Sequence, residues 1–322
     1  MIQPRKAINY FCIFLPFIFL QACSSFLFRN NVADLPENSQ IITSGIDNFY
    51  KAFDLALEDT ARAEEIFKEY YFSVGSKGLK DFYKSKIQST EKFSDFVIHY
   101  RDFYQSIRKN VSDIYDLENQ IFDHFKVFEN LYPTGVFPDV YFVIGRFSSN
   151  GTISKNGLLI GTEILSRTDD LDTENWNKDI LRISMERSHI PVTVAHELVH
   201  FNQSKMKKGN TLLWKSIREG SAEFIAKLIS GETDGDYAAF KGRELEIWKD
   251  FKEDMDKSIW SPWQQESEKH PRNAGYWAGY MICKAYYKQI GDKEKAIYDI
   301  LHIEDYQDFY NKSKVEKYLE DL

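Results

Sequence analysis

The chain has 322 residues, among which 49 Asp and Glu outnumber 41 Lys and Arg, giving a formal net charge of -8. This acidic balance argues against a nucleic-acid-binding protein, for which a basic patch is expected. A mature chain of about 300 residues buries enough apolar surface to fold as one large domain or as two tightly packed ones.

The first 22 residues have the pattern of an export signal. Two basic residues precede an almost unbroken apolar run over residues 8–20, which is shorter than the roughly 20 apolar residues of a membrane-spanning helix. Residues 20–23 read Leu-Gln-Ala-Cys, so the segment resembles a bacterial lipoprotein signal. The resemblance implies that Cys23 is lipidated, and Ser24 behind it suits the outer membrane. An ordinary cleaved signal or a short membrane anchor are the alternatives, and both also export the domain.

Residues 23–42 are predicted to tether the lipid to the folded domain, because they are polar and carry no sustained apolar period. The cysteine that follows Cys23 is Cys283, so a lipidated Cys23 leaves no partner for an internal disulfide. A zinc site built from cysteines is excluded for the same reason. The domain must therefore be stabilised by its hydrophobic core.

Residues 43–135 are predicted to form a helical N-terminal region. Aromatic and aliphatic residues recur there at spacings of three and four, which is the period of a helix with one buried face. This pattern covers residues 46–57, 93–107 and 114–128. The aromatic stripes are expected to face inward.

Two strands are predicted after this helical region. Residues 140–144 are β-branched and aromatic, and residues 158–161 form another apolar run. Between them, residues 148–151 are turn formers, so residues 139–164 are predicted to form a β-hairpin or two adjacent strands.

Helical periods return from about residue 190 and continue to the end of the chain. Strands followed by a block of helices indicate an α+β class rather than alternating βαβ units. The prediction is therefore a mostly helical α+β fold. In it, residues 136–322 form one domain with a small antiparallel sheet or hairpin packed beside the helix that carries the following motif.

The most informative segment reads Thr-Val-Ala-His-Glu-Leu-Val-His over residues 193–200. Helix positions four apart share one face, so His196 and His200 can present imidazole nitrogens to a single metal ion. Glu197 lies one step around the helix, toward the place of a metal-bound water. The alternative is that both histidines are ordinary helix residues, since chance alone produces such a motif in roughly 1% of chains of this composition.

A second predicted helix would bring a third ligand to the same place. Glu219 follows His200 after eighteen intervening residues. A turn near Gly209 would make the two helices antiparallel and return Glu219 to the histidines. Three protein ligands with the fourth position left to water is the catalytic arrangement of zinc, and nitrogen and oxygen ligands favour that metal.

This combination of His-Glu-x-x-His with a later Glu-Gly-x-Ala resembles the gluzincin metallopeptidases, the group that includes thermolysin and the zinc aminopeptidases. The resemblance implies that His196, His200 and Glu219 bind zinc. It also implies that Glu197 is the general base, taking a proton from zinc-bound water. Glu223 would orient a ligand histidine through its free N–H, and its alternative role is a solvated surface charge.

A longer resemblance spans roughly residues 137–310 and rests on residues 158–161 and 271–280. It is to a family of predicted zinc-dependent proteases and to gliding-motility lipoproteins of the GldB type. The gliding lipoproteins lack the zinc motif that this chain keeps. The resemblance to the predicted proteases therefore implies an enzyme, whereas the resemblance to the gliding lipoproteins implies a binding protein.

Two supporting parts of a peptidase site are expected. The strand over residues 158–164 would offer a free edge to an extended substrate, or serve only as an edge strand beneath the motif helix. Tyr276, on a later helix and flanked by glycines, is the candidate to stabilise the oxyanion, although its alternative role is packing. Residues 161–163 lack the Gly-x-Met-Glu-Asn pattern of the zinc aminopeptidases, so aminopeptidase activity is not supported.

Two functions follow as hypotheses. The first is a cell-envelope lipoprotein with zinc-dependent peptidase activity on a peptide or protein substrate, held to the membrane by its lipid. The alternative is a catalytically inactive envelope lipoprotein that is a scaffold or binding component in gliding motility, secretion or envelope assembly, with envelope proteins as partners. Glu197 favours the first hypothesis, because a purely structural metal site does not require it.

Overall fold

A computed structural model describes residues 32–322 of the chain. The predicted signal segment, Cys23 and the first part of the predicted tether lie outside the described residues. Within the described part, none of the helices combines the length and the apolar character needed to cross a lipid bilayer.

The region over residues 43–135 is helical, as the sequence predicts. Its aromatic faces meet in a shared core, where the ring of Phe49 lies 5.8 Å from that of Phe67 and 5.5 Å from that of Tyr71. One-turn π-helical segments follow the second and third helices, at Lys68–Phe72 and Tyr83–Ile87. The α-helices are α1 Ser44–Glu58, α2 Ala63–Phe67, α3 Lys77–Phe82, α4 Thr90–His99, α5 Arg101–Ser106, α6 Arg108–Ser112 and α7 Glu118–Leu131.

Within residues 32–322, the main sheet has four strands in the order β2-β4-β6-β5. β2 and β6 are both parallel to β4, and β5 is antiparallel to β6, with Thr152 opposite Leu159. Two small pairs, β1 with β3 and β7 with β8, lie outside this sheet. The strands are β1 Val32–Ala33, β2 Ile41–Ile42, β3 Phe137–Pro138, β4 Val140–Val143, β5 Gly151–Ser154, β6 Gly157–Gly161, β7 Leu165–Arg167 and β8 Met185–Glu186.

The predicted hairpin beside the motif helix is present, but β5 and β6 form it. Its turn is Lys155-Asn156, directly before Gly157, which has φ +148. Residues 148–151, predicted as the turn, lead into β5 instead. The sheet is mixed rather than purely antiparallel, because β4 and β6 are adjacent and parallel. β5 was not predicted from the sequence because its four residues carry no apolar run. The Asn-Gly pair in the turn after β5 is nevertheless a hairpin signal.

The predicted tether overlaps the folded unit. β2 pairs with β4, and the Ser39 hydroxyl donates to the carbonyl oxygen of Pro138 at 2.7 Å. One hydrophobic core includes residues from both predicted regions, from Ile46 to Leu319. The helical N-terminal region and the motif-bearing region therefore share a core instead of packing as separate bodies.

The second half of the chain is helical, and the α+β, mostly helical class is confirmed. All residues of β4 and β6 are buried, so both faces of the sheet are covered. α1 and α3 pack on β4, and α9 packs on β5 and β6. The helices are α8 Lys178–Ile183, α9 Ile190–Asn202, α10 Leu212–Ser230, α11 Glu244–Asp254, α12 Ser261–Gln264, α13 Ala274–Gln289, α14 Lys293–Leu301, α15 Tyr306–Ser313 and α16 Val315–Glu320.

Candidate metal centre

The motif histidines lie on α9, in which every residue is buried. Pro191 lies in its first turn, where a missing N–H costs no helical hydrogen bond. Asn202 ends the helix and exchanges hydrogen bonds with the backbone of Val136, at 2.9 Å as acceptor and 3.0 Å as donor. These bonds tie the end of α9 to the segment before β3, and α9 packs against both the sheet and α10.

Three side-chain atoms converge between α9 and α10. His196 Nε2 lies 3.0 Å from His200 Nε2, which in turn lies 3.0 Å from Glu219 Oε2. The third separation, from His196 Nε2 to Glu219 Oε2, is 3.8 Å. The other carboxylate oxygen of Glu219 accepts from Arg218 Nη1 at 2.8 Å, which turns Oε2 toward the imidazoles.

These separations fit a small metal ion. A triangle with sides of 3.0, 3.0 and 3.8 Å has a circumscribed radius of about 1.9 Å, against bonds of about 2.0–2.1 Å from zinc to histidine nitrogen. Two nitrogens and one carboxylate oxygen also match the ligand types of catalytic zinc sites. The three residues have the chemistry and the spacing to hold such an ion.

The outer nitrogens of both imidazoles also have acceptors nearby. Gln203 Oε1 lies 2.7 Å from His200 Nδ1, and the Gln203 amide nitrogen donates to the Arg218 carbonyl oxygen at 3.0 Å. Because that donation fixes which end of the amide faces His200, His200 Nδ1 carries a proton and donates it to Gln203 Oε1, and an imidazole with its single proton on Nδ1 has the Nε2 lone pair free for a metal ion. On the other histidine, Glu223 Oε1 lies 3.3 Å from His196 Nδ1.

Glu223 is therefore not a solvated surface charge. It is buried, with 1% of its surface exposed, and its second oxygen accepts from the Gly235 backbone N–H at 3.3 Å. Gln203 is a contact that the sequence analysis missed. Its signal was the position three residues after His200, which places both side chains on one helix face.

The electrostatics of the cluster favour a positive charge at the convergence point. Burial lowers the pKa of His196, but the nearby carboxylates of Glu219 and Glu223 outweigh it and hold the pKa well above its ordinary value. Burial raises the pKa of Glu219, but the adjacent imidazoles of His200 and His196 and the guanidinium of Arg218 hold it well below its usual range.

Glu197 is buried, but its carboxylate does not belong to the three groups that converge between α9 and α10. Its side chain packs on β5, where a Cβ on Gly151 would lie 2.7 Å from Glu197 Oε1. Burial raises the pKa of the Glu197 carboxyl, while the charges of His200 and His196 lower it. A carboxyl group with a raised pKa beside a metal site is suited to accept and return a proton.

A cleft of about 490 Å³ opens over the cluster. His196, His200, Glu219 and Glu197 line it together with β5, which among the strands of residues 32–322 pairs with β6 alone. The predicted free edge at residues 158–164 is wrong, because β6 lies between β4 and β5. All four residues of β5 line the cleft.

Tyr276 also lines the cleft, from α13. Burial raises its pKa well above the ordinary value, and the negative charges of Glu219 and Glu223 raise it further. Two glycines allow α13 to lie against α10, because a Cβ on Gly220 would be 2.1 Å from the Tyr280 nitrogen. The structure thus places Tyr276 with the motif residues.

A family model described as gliding motility protein GldB matches residues 31–261, which is more than two thirds of the chain. The match includes α9 and α10 and ends before α13. Comparison with curated proteins and with solved structures found no match.

Proposed function

The chain belongs to the GldB family of gliding motility proteins, and from this membership we propose that it is an envelope lipoprotein acting through protein partners in gliding motility or envelope assembly. The extent of the family match is the observation that carries this proposal. The leader pattern supports it, with Cys23 as the residue that carries the lipid and holds the protein at the membrane.

The anchor is tested by substitution of Cys23 with alanine. Loss of the lipid is expected to move the protein from the membrane fraction to the aqueous fraction, because one acyl-bearing residue supplies the attachment. Ser24→Ala serves as the control and keeps the protein with the membranes. An unchanged distribution of the Cys23→Ala protein would refute lipidation.

We further propose that His196, His200 and Glu219 bind zinc. Support comes from the convergence of their three atoms, from the Gln203 acceptor of His200 Nδ1 and from the Glu223 carboxylate 3.3 Å from His196 Nδ1. When bound, zinc polarises a carbonyl oxygen and lowers the pKa of water toward about 7.

Peptide hydrolysis is a second candidate function, which Glu197 favours. A structural metal site does not require a buried carboxylate beside the cluster and facing a cleft. In this reading Glu197 accepts a proton from the attacking water and passes it to the leaving amine. The outer edge of β5 pairs with the substrate backbone, and the Tyr276 hydroxyl donates to the carbonyl oxygen.

Metal content and peptide turnover separate the two functions in vitro. Wild type, Glu197→Gln and His196→Ala are each measured for bound zinc and for cleavage of a mixed pool of unfolded proteins. A peptidase requires zinc in the first two proteins and cleavage by the wild type alone. A binding protein shows no cleavage in any of the three, and absence of zinc from the wild type excludes both the metal site and the enzyme.

The same variant separates the functions in cells. Glu197→Gln is expressed in a strain that lacks the chromosomal gene, with wild type as the positive control. If the protein acts only as a binding component, this variant restores gliding and envelope function fully. If hydrolysis is the function, the variant accumulates normally at the membrane and restores neither.

A further inference from the structure

The cleft over the metal centre carries positive charge, although the chain as a whole is acidic. Six of the residues that line it are cations and four are acids, whereas acids outnumber cations by 49 to 41 in the sequence. The six cations are Lys84, Lys86, Lys155, Lys207, Lys208 and Arg218. The excess of positive charge is therefore a feature of this cleft and not of the chain as a whole.

The acids of the cleft are already engaged. Glu219 and Glu197 lie at the metal centre, and Arg218 is paired with Glu219. Asp81 accepts from Asn156 Nδ2 at 2.7 Å, and Asp234 accepts from the Thr193 hydroxyl at 2.7 Å. With Arg218 paired to Glu219, five lysines stand against three remaining acids, so the cleft keeps a formal excess of two positive charges.

These lysines come from three separate places in the chain. Lys84 and Lys86 lie on the π-helical segment Tyr83–Ile87, and Lys155 lies in the turn between β5 and β6. Lys207 and Lys208 lie in the connection between α9 and α10. Lys86 is the most enclosed of them, and Glu197 and Glu219 are the charges that act on it. Tertiary packing, not a basic run in the sequence, collects them around one opening.

We propose that the cleft binds an acidic peptide segment, with Asp or Glu side chains facing these lysines and the backbone lying along β5. The inference deepens the proposed function, since it names the ligand class of the same cleft. A cleft lined by one sign of charge concentrates ligands of the opposite sign and speeds their association. The outer edge of β5, with which no strand in the described part of the chain pairs, favours an extended polypeptide over other anions, because a strand edge offers backbone donors and acceptors.

The proposal is tested by fluorescence anisotropy with the zinc-loaded full-length Glu197→Gln protein in neutral detergent. The probes are three labelled decapeptides that differ only in having Glu, Gln or Lys at alternate positions. At about 0.05 M salt the Glu peptide is expected to bind at least tenfold more tightly than the Gln peptide. At about 0.5 M salt most of this preference is lost by screening.

Charge reversal locates the site. The triple variant Lys84→Glu, Lys155→Glu, Lys208→Glu removes exposed cleft charges and is expected to abolish the preference for the Glu peptide. The matched control changes the net charge equally at exposed lysines that do not line the cleft, and keeps the preference. Its substitutions are Lys109→Glu, Lys178→Glu and Lys241→Glu.

Equal affinity for the three peptides would overturn the proposal, and so would an equal effect of the two triple variants. Vesicles containing an anionic lipid that displace the Glu peptide through the same lysines would assign the cleft to a membrane surface instead. The binding assay is repeated after chelation of the metal, so its result does not depend on turnover. A protein that lacks zinc and cleavage but still prefers the Glu peptide refutes the enzyme and leaves this inference standing.

Discussion

Gly279 of α13 lies directly against the backbone of Ser216 in α10: a Cβ built on Gly279 would be 1.6 Å from the Ser216 carbonyl oxygen. Ser216 is one helical turn before Glu219, so this contact sets the position of a candidate metal ligand. It also brings Tyr276 into the cleft, one turn before Gly279. The α10–α13 contact therefore couples the stability of the fold to the geometry of the site.

Gly279→Ala is expected to destabilise the protein by at least about 3 kcal/mol. Alanine gains about 1 kcal/mol in helix propensity, but the clash is with backbone, which cannot move aside without separating the two helices. Chemical denaturation measures the loss. The control is Gly291→Ala, where a Cβ meets nothing within 4 Å, and a comparable loss there would contradict this explanation.

Gln203→Met is expected to weaken zinc binding about 10- to 100-fold, because Met removes the acceptor that keeps the His200 proton on Nδ1. Competition with a metal-binding dye measures the affinity. Gln203→Glu keeps an acceptor for that proton and should recover most of the affinity. Gln289→Met, which alters another glutamine with backbone partners, is the control and should leave affinity unchanged. Equal effects of the Met and Glu variants would rule out a positioning role.

Stability is expected to fall as the pH rises through neutrality, and Glu163 accounts for part of the fall. Its carboxylate accepts from the backbone N–H groups of Gly145 and Phe147, at 2.8 and 2.9 Å, but burial raises its pKa to about 7. The folded state therefore binds a proton that the unfolded state has released above about pH 4.5. The stabilising contribution of the protonated Glu163 is fully present below that pH and is lost as the pH rises through 7. Over this range the free energy of unfolding falls by about 3 kcal/mol.

The measurement compares urea denaturation of wild type and Glu163→Gln at pH 5 and pH 8. Only the difference between the two proteins is interpreted, since all their other titratable groups are the same. The variant should lose less stability between the two pH values. An identical pH dependence of the two proteins would show that Glu163 stays ionised in the folded state.

Cys283 is expected to be unreactive in the native protein. It is completely buried, and burial raises the pKa of its thiol well above the ordinary value, so little thiolate forms. A chromogenic thiol reagent should modify it about a thousandfold faster in denaturant than in native buffer, because modification requires opening of the core. The difference between wild type and Cys283→Ser gives the thiol modification that belongs to Cys283. Rapid modification of Cys283 in native buffer would argue against its placement in the core.

The sequence by itself determined those features that depend on neighbours along one helix. The spacing of His196 and His200 places both on one face whatever the rest of the chain does, and the bounds of α10 follow from its period and from Gly231 at its end. The mostly helical α+β class follows from the order in which helical and strand periodicity appear along the chain. Family membership could also be predicted as a resemblance, because it rests on motifs that are read directly from the sequence.

Only the tertiary structure decided the features that join distant segments. The position of Glu219 beside the histidines depends on how α10 lies against α9 and α13, and the close contact at Gly220 and Gly279 that sets it is not visible in a one-dimensional pattern. The choice of β5 as the outer strand, the burial of Glu223 and the group of lysines around the cleft have the same origin. Local periodicity specifies which face of an element is buried, but the partner it is buried against is set by packing of the whole chain.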